Sequence, residues 1–232
     1  MTSHPHANRS VSWPSLARVE GGSHPQAVLL LAHGAGAGMD HPVMAQLAKS
    51  IASEALAVVR FEFDYMVAQR SSGKRRPPDR LEALQRCYER WILATQAHYP
   101  KIPVFLAGKS LGGRVACVCL AHADQQVKGA IAIGYPFHPV GKTESQHWRW
   151  APLQQQQRPV LILQGSRDPF GNAAQLAAWP LPEQVQLHWF EQGDHSLQPT
   201  KRSGATQLQY LQQAGALIQQ HCARYNTPDF PI

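Results

Sequence analysis

Short apolar runs alternate along this chain with longer segments of helical period. The runs are apolar at nearly every position, which indicates strands that helices cover on both faces. Six strands are predicted, over residues 27–34, 55–63, 102–108, 127–135, 158–165 and 185–191. Helical spacing is found over 43–53, 80–97, 111–122, 173–178 and 204–225. This succession predicts an α/β fold with a mostly parallel, doubly wound sheet flanked by helices.

Two segments fall outside this alternation. Residues 1–24 are rich in Ser, His, Pro and Gly, so we expect a loose N-terminal arm with at most a short edge strand near residues 16–19. One domain is expected to follow over 25–232. The connection 136–157 is long for this fold, and one interpretation of it is a lid over the strand ends. Trp148 and Trp150 in it would either close over an apolar acyl group or fasten the loop to the core.

The charge of the chain raises the question of a nucleic-acid partner. Lys and Arg number 22 against 15 Asp and Glu, which gives a net charge of +7. The largest basic cluster is the short run RSSGKRRPPDR at 70–80, which has no interleaved aromatic residues. It is typical of a solvated loop, and binding of an anionic ligand is the alternative. No specific nucleic-acid binding is expected.

Cysteine usage and hydropathy limit the class of protein further. The four cysteines have no metal-ligand spacing, so we expect neither a metal site nor a disulfide framework. Cys117 and Cys119 lie in an apolar helical segment and are interpreted as buried small residues. The first residues lack the apolar core of a signal peptide, and no apolar run reaches the roughly 18 residues that span a membrane. We therefore expect a cytoplasmic protein without membrane contact.

One serine stands where a nucleophile is expected. The segment VFLAGKSLGGRV at 104–115 places Ser110 between an apolar strand and a small-residue helix. Gly108 and Gly112 are the small neighbours that a tight strand-to-helix turn requires, because the turn brings two backbones together. At the N-terminus of the helix free N–H groups stabilise a developing oxyanion, and that of Leu111 is the expected donor. The motif alone is also compatible with an ordinary glycine-rich turn.

An acid and a histidine follow in the order that serine catalysis needs. LILQGSRDPFG places Asp168 just beyond a buried strand, and HWFEQGDHSL places His195 just beyond the next. Asp168 would orient the imidazole of His195, which would accept the Ser110 proton and pass it to the leaving group. Asp168 alone is also typical of a turn before proline. Asp194 is the competing acid, although shaping the loop is the favoured interpretation of it.

The first predicted strand leads into a glycine-rich loop, LLLAHGAGAGMDHP at 29–42. A nucleotide-phosphate loop is the alternative interpretation, but neither G-K-[ST] nor a complete dinucleotide fingerprint is present, and no cofactor is expected. In a hydrolase this turn would present the second oxyanion N–H, that of Ala35, with Gly36 as the alternative. His33 is interpreted as a structural residue that bonds the loop backbone.

The segments AHGAGAGMDHP, FEFDYM, GKSLGGRVA, GYPFHPVGK, LQGSRDPFG and GDHSL together resemble a bacterial α/β-hydrolase family related to dienelactone hydrolase. That family also includes the hydrolase-like domain of an animal chromatin-complex (non-specific lethal) subunit. The resemblance covers about residues 27–222. It implies a compact α/β-hydrolase core without a separate cap domain, and a triad of Ser110, Asp168 and His195. It also implies that FEFDYM, the 70–80 run and GYPFHPVGK border the active-site mouth, whereas Asp64 stands where a proline or small residue is expected.

Under this hypothesis several loop residues are candidates for the substrate pocket, with loop packing as the alternative for each. They are Met39, His41, Met66, Tyr135 and His138.

The sequence thus favours a serine hydrolase that cleaves a small carboxylic ester, thioester or lactone through an acyl-enzyme. Its partner would be a small-molecule ester, and an anionic one if the 70–80 run borders the pocket. A non-catalytic interaction module with the same fold is the alternative, although such a module has no need of all three triad residues. A nucleic-acid-associated protein is a third hypothesis, which only the net charge supports.

Overall fold

The computed structural model describes residues 16–226. Within them seven strands form one sheet. Their bounds are β1 Arg18–Glu20, β2 Ala27–Ala32, β3 Leu56–Phe61, β4 Val104–Lys109, β5 Val127–Ile133, β6 Val160–Gly165 and β7 Val185–Phe190. The helices are α1 Pro42–Ile51, α2 Asp64–Ser72, α3 Leu81–His98, α4 Leu111–Leu120, α5 Ala151–Gln154, α6 Ala173–Leu176 and α7 Gln207–Tyr225. Two short 3-10 helices cover Ser145–His147 and Lys201–Ser203.

The sheet has the order β1-β3-β2-β4-β5-β6-β7, and every pairing except β1 with β3 is parallel. All six strands predicted from the apolar runs are confirmed, with bounds that differ from the predicted ones by at most two residues at either end. The strand order reverses between β2 and β4, and ligands of open α/β sheets bind at the carboxyl ends of strands beside such a reversal.

The edge strand β1 pairs antiparallel with β3, and Val19 lies opposite Val59. The sequence assigned this segment to the N-terminal arm, with an edge strand near residues 16–19 as its only structure. Residues 1–15 of the predicted arm lie outside the described residues, so the predicted domain boundary stays a prediction.

Both faces of the sheet are covered, which explains why the strands are apolar at nearly every position. Successive residues of a strand point to opposite faces. In β2, Val28 and Leu30 pack with residues of α3 and α4, whereas Leu29 and Leu31 pack with residues of α1 and α7. The predicted cover of helices on both faces is confirmed.

The helix α2 was not predicted as a helix. Only Tyr65 and Met66 of its nine residues are buried, so its sequence carries no apolar period. Asp64 is its first residue, and an acid at this position interacts favourably with the helix dipole. The Asp64 carboxylate also pairs with Arg90 of α3 at 2.6 Å. The departure noted at Asp64 is therefore the start of a helix and its anchor to a neighbour.

The long connection after β5 is fixed to the core. Phe137 is fully buried, and the Arg149 N–H donates to its carbonyl at 2.7 Å. The Tyr135 hydroxyl donates to the Arg149 carbonyl at 2.8 Å. Trp148 and Trp150 stack on each other with ring centroids 5.2 Å apart, and Trp150 is buried. These contacts favour the interpretation that the tryptophans fasten this connection to the core.

Candidate active site

Ser110 lies at the turn between β4 and α4, where its backbone adopts φ 52° and ψ −114°. A positive φ is strained for a residue with a Cβ, and such strain concentrates at functional sites. The turn is held because the Ser110 N–H donates to the Ile133 carbonyl at 2.8 Å and its carbonyl accepts from Arg114 N–H at 3.1 Å. Leu111 is the first residue of α4, so its N–H has no acceptor within the helix.

The two glycines beside Ser110 are required by close packing. A Cβ at Gly108 would overlap the backbone of Gly112, across the turn. A Cβ at Gly112 would lie 2.6 Å from the His33 carbonyl oxygen and 2.8 Å from that of Ala32. The glycines thus let α4 approach both its own strand and the loop after β2, as the sequence motif predicts.

Ser110, His195 and Asp168 form a continuous chain of hydrogen bonds. His195 Nε2 lies 2.8 Å from Ser110 Oγ, and His195 Nδ1 lies 2.7 Å from Asp168 Oδ2. With its proton on Nδ1, the imidazole donates to the carboxylate and accepts from the serine hydroxyl. Asp168 is fully buried, and the His195 side chain is 19% exposed. The residues come from the carboxyl ends of β4, β6 and β7, which the parallel sheet brings together.

Asp168 is also anchored by two further donors. The Phe170 N–H donates to its Oδ1 at 2.8 Å, and the Gln164 amide donates to its Oδ2 at 2.9 Å. Gln164 is a fully buried residue of β6, and its amide also reaches the carbonyls of Tyr135 and Gly171. The sequence analysis did not identify Gln164. Its only signal was an amide inside an otherwise apolar strand, four residues before Asp168.

The imidazole of His195 lies between two close neighbours. The Phe170 ring lies against it with centroids 4.4 Å apart. Gly134, which directly follows β5 and has φ 65°, is the second neighbour of the imidazole. A Cβ at Gly134 would lie 3.2 Å from His195 Nδ1. Asp194 instead accepts the N–H groups of Ser196 and Gln198 at 2.7 and 2.9 Å. Asp194 therefore shapes the loop, which was the favoured interpretation of it.

The loop after β2 is held by His33 and Tyr65. His33 Nδ1 donates to the Gly34 carbonyl at 2.7 Å, and Nε2 accepts the Phe63 N–H at 3.1 Å. The Tyr65 hydroxyl lies 3.3 Å from the Gly34 carbonyl and 3.2 Å from that of Ala35. Burial lowers the pKa of His33 to about 4, so the ring is neutral near pH 7. Tyr65, which the sequence analysis missed, thus fixes the turn that carries Ala35.

A cavity of about 350 Å³ opens over Ser110. Such a volume lies in the usual range for small-molecule sites. Ala35 and His195 contribute to its wall, and so do His41 and Lys109. Burial lowers the pKa of Lys109, an effect that the charges of Asp168 and Asp194 oppose.

Of the five candidate pocket residues, only His41 contributes to this wall within the described part of the chain. Tyr135 is fully buried in the core beside Phe137. His138 is also buried, with Nδ1 2.9 Å from the Pro139 carbonyl and Nε2 3.3 Å from Gln175 Oε1. The structure therefore places Tyr135 and His138 outside the cavity wall, in the packing of the long connection.

The two methionines also lie elsewhere. Met39 is buried and accepts a hydrogen bond from Arg60 on its carbonyl, while its N–H donates to Glu62. Met66 packs in the hydrophobic core from α2. Met39 lies in the loop after β2 and Met66 lies in α2, and neither residue contributes to the wall of the cavity over Ser110.

The described residues contain no group of three or more His, Cys, Asp or Glu arranged to hold a metal ion. All four cysteines are free and buried. Burial raises the pKa of the Cys87 and Cys117 thiols to about 12. The interpretation of Cys117 and Cys119 as buried small residues agrees with this placement.

The geometry agrees with a comparison to known protein families. A family profile described as "Alpha/beta hydrolase domain" matches residues 25–223. The chain belongs to the alpha/beta hydrolase family. This membership confirms the fold class expected from the resemblance. No helix within residues 16–226 is long and apolar enough to cross a membrane.

Solved structures share this fold at low sequence identity. An alpha/beta serine hydrolase without a lid from Xanthomonas campestris is 19% identical, with a TM-score of 0.63 over 93% of this chain and 90% of that one. A serine hydrolase homologue from Coxiella burnetii is 18% identical, with a TM-score of 0.64 over 88% and 90%. Dienelactone hydrolase from Anabaena variabilis is 19% identical, with a TM-score of 0.63 over 90% and 91%.

A curated relative matches part of the chain. Monoglyceride lipase of Rattus norvegicus is 28% identical over 110 residues, which is 47% of this chain and 35% of the lipase. This chain therefore aligns with only about a third of the length of that relative. The resemblance to proteins related to dienelactone hydrolase is confirmed, and the link to an animal chromatin subunit stays a prediction.

Proposed function

We propose that this hydrolase is a serine esterase that cleaves a small carboxylic ester, thioester or lactone through an acyl-enzyme. The observation that carries the proposal is the hydrogen-bond chain from Ser110 Oγ through His195 to Asp168, with distances of 2.8 and 2.7 Å. A strained serine, an imidazole nitrogen within hydrogen-bond distance of its hydroxyl and a buried carboxylate are the parts that nucleophilic acyl transfer requires.

In the first half-reaction Ser110 Oγ attacks the carbonyl carbon while His195 Nε2 takes the hydroxyl proton. Asp168 keeps the imidazole in the tautomer that accepts this proton and stabilises the imidazolium that forms. The backbone N–H groups of Leu111 and Ala35 are our candidates to stabilise the oxyanion. Collapse of the tetrahedral intermediate expels the alcohol, thiol or lactone hydroxyl, to which His195 returns the proton.

In the second half-reaction water replaces the leaving group. His195 Nε2 takes a proton from the water as it attacks the acyl carbon, and a second tetrahedral intermediate forms. When the bond to Ser110 Oγ breaks, the same nitrogen returns a proton to the serine. The products are the free acid and the regenerated hydroxyl, and no cofactor enters the balance.

Labelling with a fluorophosphonate tests the proposal, with the intact mass of the protein as readout. We expect one adduct on the wild-type protein, none on Ser110→Ala, and an adduct that forms at least about a hundredfold more slowly on His195→Ala, because the serine loses its base. Ser196→Ala is the matched control, since Ser196 is the other serine of the cavity wall. It is expected to retain the adduct.

Folded wild-type protein that acquires no adduct, and hydrolyses no p-nitrophenyl ester, would contradict the proposal. That result would favour the non-catalytic interaction module.

A further inference from the structure

A second depression adjoins the cavity over Ser110. We call it the arginine groove; its walls are Gln69, Arg70, Gly73, Arg75, Arg76, Pro77 and Pro78, with Ala35 and Gly36 at one end. Its volume is about 870 Å³. Ala35 and Gly36 are also part of the cavity wall around Ser110. A ligand that extends from Ser110 past this turn therefore enters the arginine groove.

Two of the three arginines in the groove have no acidic partner among residues 16–226. Arg70 is neutralised, because it pairs with Asp40 at 3.1 Å and with the buried Glu62 at 2.6 Å. Across residues 16–226 no such ion pair involves Arg75 or Arg76. Both side chains are exposed. Their charges are thus available to a ligand in the groove.

The segment that carries these arginines is tied to α2. Gly73 ends the helix in the left-handed conformation with φ 66°. The Lys74 N–H donates to Ser72 Oγ at 3.3 Å, and the Arg76 N–H donates to Gln69 Oε1 at 2.9 Å. Pro77 and Pro78 then restrict the backbone that follows. Because the backbone is already fixed, a ligand would pay less entropy to order it than it would for a free loop.

The guanidinium group suits one class of ligand. It presents several N–H donors in a plane that matches both oxygens of a carboxylate, and it stays charged at any physiological pH. We propose that the substrate is an ester bearing a carboxylate, which Arg75 and Arg76 bind while Ser110 attacks the ester carbonyl. The inference rests on the proposed function and adds a substrate class to it.

The test compares anionic esters with neutral ones of similar size. On the acyl side, p-nitrophenyl hydrogen adipate is compared with p-nitrophenyl heptanoate. On the alcohol side, 4-acetoxybenzoate is compared with methyl 4-acetoxybenzoate. The measured quantity is the ratio of kcat/KM for the anionic ester to kcat/KM for its neutral counterpart.

The variant is Arg75→Gln/Arg76→Gln, and the control is Lys49→Gln/Arg86→Gln. The control removes the same two charges from exposed helical positions that line neither the cavity nor the groove. It therefore reports the effect of net charge alone on the encounter rate.

In at least one of the two series we expect the ratio to fall by about tenfold in the groove variant, mainly through KM, and to change little in the control. The loss should be smaller at about 500 mM salt than at about 50 mM, because salt screens exposed charges. The neutral esters should be hydrolysed at nearly the wild-type rate by both proteins.

Ratios that are equal in wild type, groove variant and control, in both series, would overturn the inference, and so would an equal loss in variant and control. Either result leaves the proposed function standing, provided that neutral esters are hydrolysed and Ser110 is labelled. Failure of labelling at Ser110 would contradict the proposed function instead, so the two failures are distinguishable.

Discussion

At the scale of single residues, both oxygens of the Asp168 carboxylate accept hydrogen bonds from residues other than His195. Phe170 N–H binds Oδ1, and the Gln164 amide binds Oδ2 beside the imidazole. A buried carboxylate needs such donors because it has lost its hydration. The same donors fix the orientation of the Asp168 carboxylate, which binds His195 Nδ1 through Oδ2. They therefore also fix the orientation of the imidazole towards Ser110.

Replacement of Gln164 should therefore slow the chemistry more than it weakens substrate binding. We expect Gln164→Leu to lower kcat and the labelling rate of Ser110 by about tenfold while KM changes less than threefold, since a positioning contact acts on the reacting geometry. Gln164→Glu should lower kcat and the labelling rate further, because it would place a second carboxylate beside that of Asp168. Steady-state kinetics and fluorophosphonate labelling measure both effects.

The chain offers a matched control in Gln156. It is also a buried glutamine, whose amide donates to the Cys117 carbonyl at 2.7 Å, but it lies outside the triad. Gln156→Leu should lower the stability of the protein without an equal loss of labelling per folded molecule. If both glutamine variants lose activity in proportion to their loss of stability, Gln164 has only a structural role.

At the scale of elements, the site depends on how closely α4 approaches the end of β2. Gly112 is the point of contact, where a Cβ would lie 2.6 Å from the His33 carbonyl oxygen. That distance is too short for any carbon, so the helix, the loop or both must move when a side chain is added. The move would separate the N–H groups of Leu111 and Ala35, the candidate donors to the oxyanion.

We expect Gly112→Ala to lower the free energy of unfolding by about 1 to 3 kcal/mol through overpacking. Among folded molecules it should lower kcat by more than about tenfold, because oxyanion stabilisation depends on distances of about 3 Å. Gly36→Ala is the control for stability, since a Cβ there meets no atom within 4 Å. Urea unfolding and steady-state kinetics measure the two effects, and equal stability of the two variants would contradict this account.

At the scale of the whole molecule, most of the fold could be predicted because buried parallel strands are apolar along their full length. The order of Ser110, Asp168 and His195 along the chain likewise reflects which strand ends meet. The helix α2 could not be predicted, because only Tyr65 and Met66 of it are buried. Nor could the burial of Tyr135 and His138 away from the cavity be predicted, because it depends on how a long connection folds back onto the core.

Two histidines on different elements should also make the whole molecule sensitive to acid. Burial lowers the pKa of both His33 and His221 to about 4, with Arg224 adding to the effect at His221. In the unfolded chain their pKa is about 6.5, so between about pH 6.5 and pH 4 the unfolded state binds more protons. The stability that the neutral rings contribute is therefore fully present above pH 6.5 and is lost as the pH falls towards 4.

Urea unfolding at a series of pH values checks this prediction. As the pH falls from about 7 to 5, each histidine should lower the free energy of unfolding by roughly 1 to 2 kcal/mol. His221→Gln should remove the part of this pH dependence that comes from His221, even if the substitution also lowers the free energy of unfolding at pH 7. Since α7, which carries His221, lies outside the cavity wall, the variant should still label at Ser110. A slope that His221→Gln leaves unchanged would mean that His221 can be protonated in the folded state without cost, because water reaches its ring.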